Sequence, residues 1–129
     1  MLNLILILVC LGCGLMAGLF VSFSTFMMKA LGSLTAAEGI RAMQAINVFS
    51  VRPSFLVVFL GTAALLPFAA YLSWGDHVSK YIVATTLIYG VMCLGSTIAF
   101  NIPLNNRLAD CDPECNEDHV FWGDYLAIW

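Results

Sequence analysis

Charge marks out this chain before anything else does. Its five basic and eight acidic residues all fall outside three apolar windows, residues 1–28, 53–75 and 81–106. Crossing the hydrocarbon core of a bilayer takes about 20 apolar residues at a rise of about 1.5 Å each, so each window is long enough. The pattern predicts three spanning helices, over about 2–28, 53–74 and 81–105, in a single membrane domain of residues 1–129. The first is longer than a core about 30 Å thick requires and should tilt. Met1-Leu2-Asn3 has no positive charge and the apolar run is long, so a retained helix is expected here in place of a cleaved signal peptide.

Between the first two windows the polarity rises. Thr35-Ala36-Ala37-Glu38 is a capping-box pattern, and it opens an amphipathic helix over about 36–47. Ala36, Ile40, Met43 and Ile46 fall at helical spacing, with Glu38, Arg41 and Gln44 on another side. Such a helix serves as an interfacial linker or as a lid. Pro53 suits the first turn of the second span. Pro67 lies inside that span and frees the Ala63 carbonyl, while Tyr71 and Trp74 sit where an aromatic belt belongs. The short loop from Gly75 to Lys80 makes the second and third spans antiparallel neighbours. After Asn105 the chain turns acidic, and Asp112-Pro113 reads as the start of a last helix over about 113–129.

Composition agrees and narrows the class. Apolar residues make up 61% and charged ones 10%, with a mean hydropathy of +0.93, whereas soluble domains carry about 25% charged residues. The fold class is therefore all-α, an integral membrane helical bundle lying in the lipid bilayer. Five basic residues and a pI near 5.0 offer no phosphate-neutralising surface, which excludes nucleic acid as a partner. Lys29, Arg41, Arg52 and Arg107 lie on one side of the predicted topology and Lys80 on the other. The excess of positive charge puts the 29–52 segment and the acidic tail in the cytoplasm and the amino terminus outside. No ionisable side chain lies within a span, which argues against a proton relay or an ion-coupled transporter.

Several short patterns carry candidate chemistry. Cys10, Gly14, Gly18 and Ser22 form a ladder of small residues on the first helix, with Gly14 and Gly18 as a GxxxG pair. Such a ladder allows close helix approach; packing within the bundle is the expected use and homodimerisation the alternative. Cys10 and Cys13 spell CxxC, read here as small apolar fillers. Cys111, Cys115 and His119 supply three ligands, one short of a structural zinc site. A cytoplasmic position disfavours a disulfide between the two thiols. A solvated acidic turn is the reading kept, and no metal is assigned. On the third helix Thr86, Gly90, Cys93, Thr97, Asn101 and Asn105 align as a small and polar stripe. Asn101 either helps to satisfy the Ala99 carbonyl freed by Pro103 or floors a polar cavity.

Three blocks resemble one family. Gly14-Leu15-Met16-Ala17-Gly18-Leu19-Phe20-Val21-Ser22-Phe23-Ser24, Ala42-Met43-Gln44-Ala45-Ile46-Asn47 and Asn101-Ile102-Pro103-Leu104-Asn105-Asn106-Arg107-Leu108 are similar, in that order, to elements of the anthrone-oxygenase-like family of small bacterial and fungal membrane proteins. The resemblance implies a four-helix membrane bundle, of which three spans are visible, in a bacterial cell (inner) membrane. In its characterised members it implies oxidation of an anthrone to an anthraquinone by molecular oxygen without a cofactor. In that family the Trp-rich stretch, here Trp122 to Trp129, leads into a W-N-x-x-R element and a fourth span, both absent from this sequence. The expectation is that a continuation or a neighbouring polypeptide, in a homo-oligomer or a larger complex, completes the bundle.

Such chemistry needs an apolar slot for an aromatic small molecule, hydrogen-bond donors for an oxyanion, and a base. Phe23, Phe100, Tyr71 and Tyr89 are the expected walls, and Asn101 and Asn105 the expected donors. Gly14, Gly18 and Gly90 are the expected helix-packing positions. His77 and His119 lie in loop and tail, so no catalytic base is assigned. The competing reading, from another class, is a non-catalytic transmembrane subunit packed on a larger membrane complex.

Overall fold

Away from its ends a helix satisfies its own backbone donors and acceptors, so a chain this apolar has every reason to be largely helical. The computed structural model describes residues Met1–Trp129 and contains five helices and no strand. They are α1 (Leu2–Gly32), α2 (Ala36–Ser50), α3 (Pro53–Leu72), α4 (Ser79–Ala109) and α5 (Asn116–Ile128). Three of them, α1, α3 and α4, are long and apolar enough to cross a membrane. α1 and α4 have 31 residues each and outrun their apolar windows, because Lys29 and Asn106-Arg107 interrupt hydrophobicity without breaking a helix.

Local chemistry sets the boundaries. Thr35 caps α2 through a complete capping box: its side chain accepts from the Glu38 amide, and the Glu38 carboxylate accepts from the Thr35 amide at 3.1 Å. Pro53 stands in the first turn of α3. Gly75 turns the α3–α4 loop with φ +92°, a left-handed conformation that only glycine adopts without strain.

One expectation about boundaries is corrected. The last helix begins at Asn116, not at Pro113, because Asp112 is spent on a turn: its Oδ1 accepts from the Glu114 amide at 3.0 Å, and its own amide donates to Asp118 Oδ2 at 2.8 Å. Pro103 neither ends nor interrupts the third long helix. A π-helical segment, Thr97–Asn101, precedes it, and α-helix resumes from Ile102 to Ala109. A wider turn moves each hydrogen bond on by one residue, which carries the ladder past the donor that proline lacks. Two further π segments, Phe23–Met27 and Tyr89–Gly95, widen α1 and α4.

The core divides in two. One cluster joins α1, α3 and α4 through Ile5, Val9, Met16, Phe59, Leu66, Ala69, Ile82, Tyr89 and Cys93. α3 is its centre and packs along both neighbours. The other cluster lies at the far end, where Phe23, Met28 and Leu31 of α1 and Leu108 of α4 meet Ile40 and Met43 of α2 and Phe121, Trp122 and Tyr125 of α5. Gln44 ties this end together, its Nε2 donating to the carbonyls of Leu108 at 2.9 Å and Cys111 at 3.0 Å just where α4 runs out of partners. Arg41 pairs with Glu114 across the same junction.

The glycine ladder is not used within the chain. A Cβ on Gly14, Gly18 or Gly90 would meet nothing within 4 Å, and Gly14 and Gly18 are exposed. The close approach of α1 to α3 is made instead by Gly12, against Thr62.

Candidate functional site

Among the polar side chains in the apolar part of the molecule, one group converges. Tyr125, the last aromatic buried by α5, is 0% exposed. Its hydroxyl donates to Asn105 Oδ1 of α4 at 2.7 Å, which orients the amide and turns Asn105 Nδ2 away as a further donor. Asn47, near the end of α2, and Trp129, just beyond α5, bring Nδ2 and Nε1 toward the same hydroxyl. Both nitrogens are buried and neither completes a hydrogen bond. Phe23 of α1 closes the group, its ring 5.5 Å from that of Trp129.

Each helix contributes for a local reason. The π segment that begins at Phe23 lets α1 carry that ring inward while the chain continues to Met28 and Leu31, which are buried in the same cluster. α2 is fixed at its start by the capping box and further along by Gln44, so Asn47 is held on a rigid element. α5 presents Trp122 and Tyr125 on one side, stacked at 5.5 Å and 16°. Arg107 lies over Phe121, 4.1 Å from the ring centre, and pins the start of α5 to the end of α4.

The electrostatics favour donation over proton uptake. Burial pushes the Tyr125 phenol up to about 12, against the opposing pull of Trp129 and Asn47, so at neutral pH Tyr125 is a hydrogen-bond donor and not a base. A buried donor without a partner forfeits about 1–3 kcal/mol relative to water. Two such donors beside a phenol are groups whose unmet hydrogen bonds a carbonyl or enolate oxygen would satisfy.

The expected site residues separate. Asn105 and Phe23 are brought together with Tyr125 and Trp129. Asn101 lies one turn before Asn105 on α4 and is half-buried, but its side chain does not join the Tyr125 hydrogen bond. Thr97, a further turn back, has a buried hydroxyl without a partner. Tyr89 is buried in the other cluster, where its hydroxyl donates to the Phe59 carbonyl at 2.9 Å. Phe100 is 63% exposed and faces away from the bundle. Tyr71 stands exposed by the α3–α4 loop, at the opposite end from Tyr125. Asn47, Tyr125 and Trp129 were not foreseen, although each lay in a stretch that the family resemblance had marked.

Cys111 and His119 are spent on their own turn. Cys111 Sγ donates to the Arg107 carbonyl at 3.4 Å, and His119 Nε2 donates to that of Pro113 at 2.8 Å. Elsewhere, a groove of about 310 Å³ runs between α1 and α4, lined by Cys13, Met16, Phe20, Tyr89 and Met92 among others.

Comparison with curated proteins and with solved structures gives no match. The family described as anthrone oxygenase matches residues 47–125, more than half of the chain, and the matched stretch runs from Asn47 to Tyr125, two members of the polar cluster around the phenol. The chain belongs to the anthrone oxygenase family.

Proposed function

We propose that this protein oxidises an anthrone-type aromatic substrate with molecular oxygen, using the cluster around Tyr125 to bind the substrate's oxygen atom. The observation that carries the reading is the pair of unspent buried donors, Asn47 Nδ2 and Trp129 Nε1, beside the Tyr125 hydroxyl. A substrate carbonyl seated there accepts both. Loss of a proton from the ring methylene turns that carbonyl into an enolate, and the same donors bind it more strongly as charge develops. No side chain of the cluster is a base, so solvent takes the proton.

The chemistry balances without a metal or flavin. The enolate passes an electron to oxygen, and the resulting radical pair combines at the methylene carbon to give a hydroperoxide. Loss of water, with cleavage of the O–O bond and of the second C–H bond, leaves the quinone. One anthrone and one dioxygen give one anthraquinone and one water. We place the reaction at the cytoplasmic end of a bacterial cell-membrane bundle with its amino terminus outside, in keeping with the distribution of lysine and arginine.

The purified protein in lipid nanodiscs should form anthraquinone from anthrone faster than empty nanodiscs in aerated buffer, with one quinone oxygen labelled from ¹⁸O₂. Asn47→Ala should lower that rate about 10²-fold, the usual effect of losing one oxyanion donor. A rate equal to that of empty nanodiscs would overturn the reading.

A second reading rests on a different observation. The exposed Gly14 and Gly18, with nothing within 4 Å of their Cβ positions, suit the close approach of another helix, either from a second copy or from a larger membrane complex. Gly14→Leu and Gly18→Leu would then abolish co-purification with the partner and leave monomeric protein folded. Unchanged size in detergent would remove this reading.

A further inference from the structure

We propose that Gly39, on α2, is a positioning residue that sets the Tyr125 hydroxyl by leaving room for the ring of Trp122. This deepens the proposed oxygen-binding role of the Tyr125 cluster and rests on it for its link to oxidation.

A Cβ built on Gly39 would stand 2.6 Å from Trp122 Cζ2, 2.8 Å from Cε2 and 2.9 Å from Nε1. These are atoms of a rigid bicyclic ring, not the far end of a flexible chain. Trp122 is 3% exposed, so the ring has no free space to retreat into. The same ring is stacked on Tyr125 at 5.5 Å and 16°, and Tyr125 in turn donates to Asn105 at 2.7 Å. A push on Trp122 is therefore delivered to the phenol and to the hydrogen bond that fixes it.

α2 cannot yield in place of the ring. Its first turn is held by the Thr35–Glu38 capping box, which ends one residue before Gly39. Five residues on, Gln44 is bonded to two carbonyls at the end of α4 and just beyond it. Ile40, the neighbour of Gly39, is 0% exposed. The glycine is helical with no positive φ, so backbone conformation does not require it; in a helix interior it is less favourable than alanine. Space for the indole is what it supplies.

The test is a cycle read on Tyr125 itself. Protein labelled with ¹³Cζ-tyrosine, in nanodiscs, has four tyrosines, and Tyr125→Phe identifies the resonance of Tyr125. Gly39→Ala should shift that resonance and leave the other three in place, and it should lower anthrone oxidation about tenfold or more, as small misplacements of an oriented group do. On a Trp122→Phe background, where the smaller ring removes the overlap, Gly39→Ala should have little further effect on the resonance.

An unmoved Tyr125 signal in Gly39→Ala would overturn the proposal, as would an equal shift on both backgrounds. Should Gly39→Ala fold only when Trp122 is Phe, the coupling is shown by that rescue; failure to fold on both backgrounds overturns it. The resonance needs no substrate, so a wild-type protein that oxidises nothing would sink the functional reading and leave this cycle to be decided separately.

Discussion

Gly12 of α1 lies against Thr62 of α3 so closely that a Cβ at position 12 would overlap the threonine hydroxyl and stand 3.1 Å from both Thr62 Cβ and Cγ2. Thr62 is itself buried. This contact, and not the GxxxG pair that starts two residues further on, brings α1 and α3 together. Gly12→Ala should cost about 1–3 kcal/mol, as overpacking does. Gly14→Ala and Gly18→Ala, which meet open space, should stay within about 0.5 kcal/mol of wild type or gain slightly from helix propensity. Thermal unfolding in one detergent, compared across the three variants, checks the order.

Tyr125 makes stability depend on alkali. Burial pushes its phenol up from 10 to about 12. Its contribution is whole below pH 10, where folded and unfolded chains both hold the proton. Above that the unfolded chain releases it first, so stability falls as pH rises and this contribution is gone beyond about pH 12. Tyr125→Phe should flatten that limb, and should lower stability near pH 7 by about 1–2 kcal/mol because Asn105 Oδ1 loses its donor. Denaturation midpoints at a series of pH values from 7 upward would show both effects.

Gln44 holds two carbonyls with one nitrogen. Gln44→Ala leaves those of Leu108 and Cys111 without this donor and should cost about 1–3 kcal/mol. Gln44→Glu should be no better, since an ionised carboxylate has no proton to give. Hydrogen exchange should then rise at the α4–α5 junction and hold steady in α3.

How far the chain could be read before folding depends on the kind of signal at each place. The capping box at Thr35 and Glu38 and the proline at 53 act within a few residues, so the starts of α2 and α3 were legible. That Asn105 and Phe23 would find partners was legible, because a polar group at the end of an apolar helix, or an aromatic in a family block, asks for one, and both lie in the cluster around Tyr125. Phe100 lies away from that cluster for a geometric reason. The stripe on the third helix was drawn at α-helical spacing, whereas α4 passes through two π segments, Tyr89–Gly95 and Thr97–Asn101. Each wide turn takes an additional residue and rotates the rest of the helix about its axis. Tyr125 and Trp129 escaped notice because aromatic residues at a helix end fit an interfacial belt as well as a core, and only the return of α5 against α2 decides between them.

The two tail thiols should differ in reactivity. Cys111 is buried, and its thiol is pushed up to about 11 by that burial and then by Asp118. Cys115 is half-exposed. A maleimide that cannot cross membranes, applied at pH 7.5 to vesicles with the cytoplasmic face outward, should label Cys115 at least about tenfold faster than Cys111, since only the thiolate reacts. Labelling confined to the opposite face would reverse the orientation proposed from the lysine and arginine distribution.

The division of the core into two clusters bears on how the protein meets its surroundings. One cluster is made only by α1, α3 and α4, whose long apolar surfaces must answer to the thickness of whatever bilayer they enter, chiefly by tilting. The other is built in large part from α2 and α5, which are not among the three long apolar helices, and its internal ties run through Gln44, Arg41 and the Tyr125–Asn105 bond. A thinner or thicker membrane is therefore absorbed where the long helices slide and lean against lipid. The group around Tyr125 takes in Asn105 of α4 and Phe23 of α1, so α2 and α5 hold those ends of the long helices together while the stretches beyond them lean against lipid.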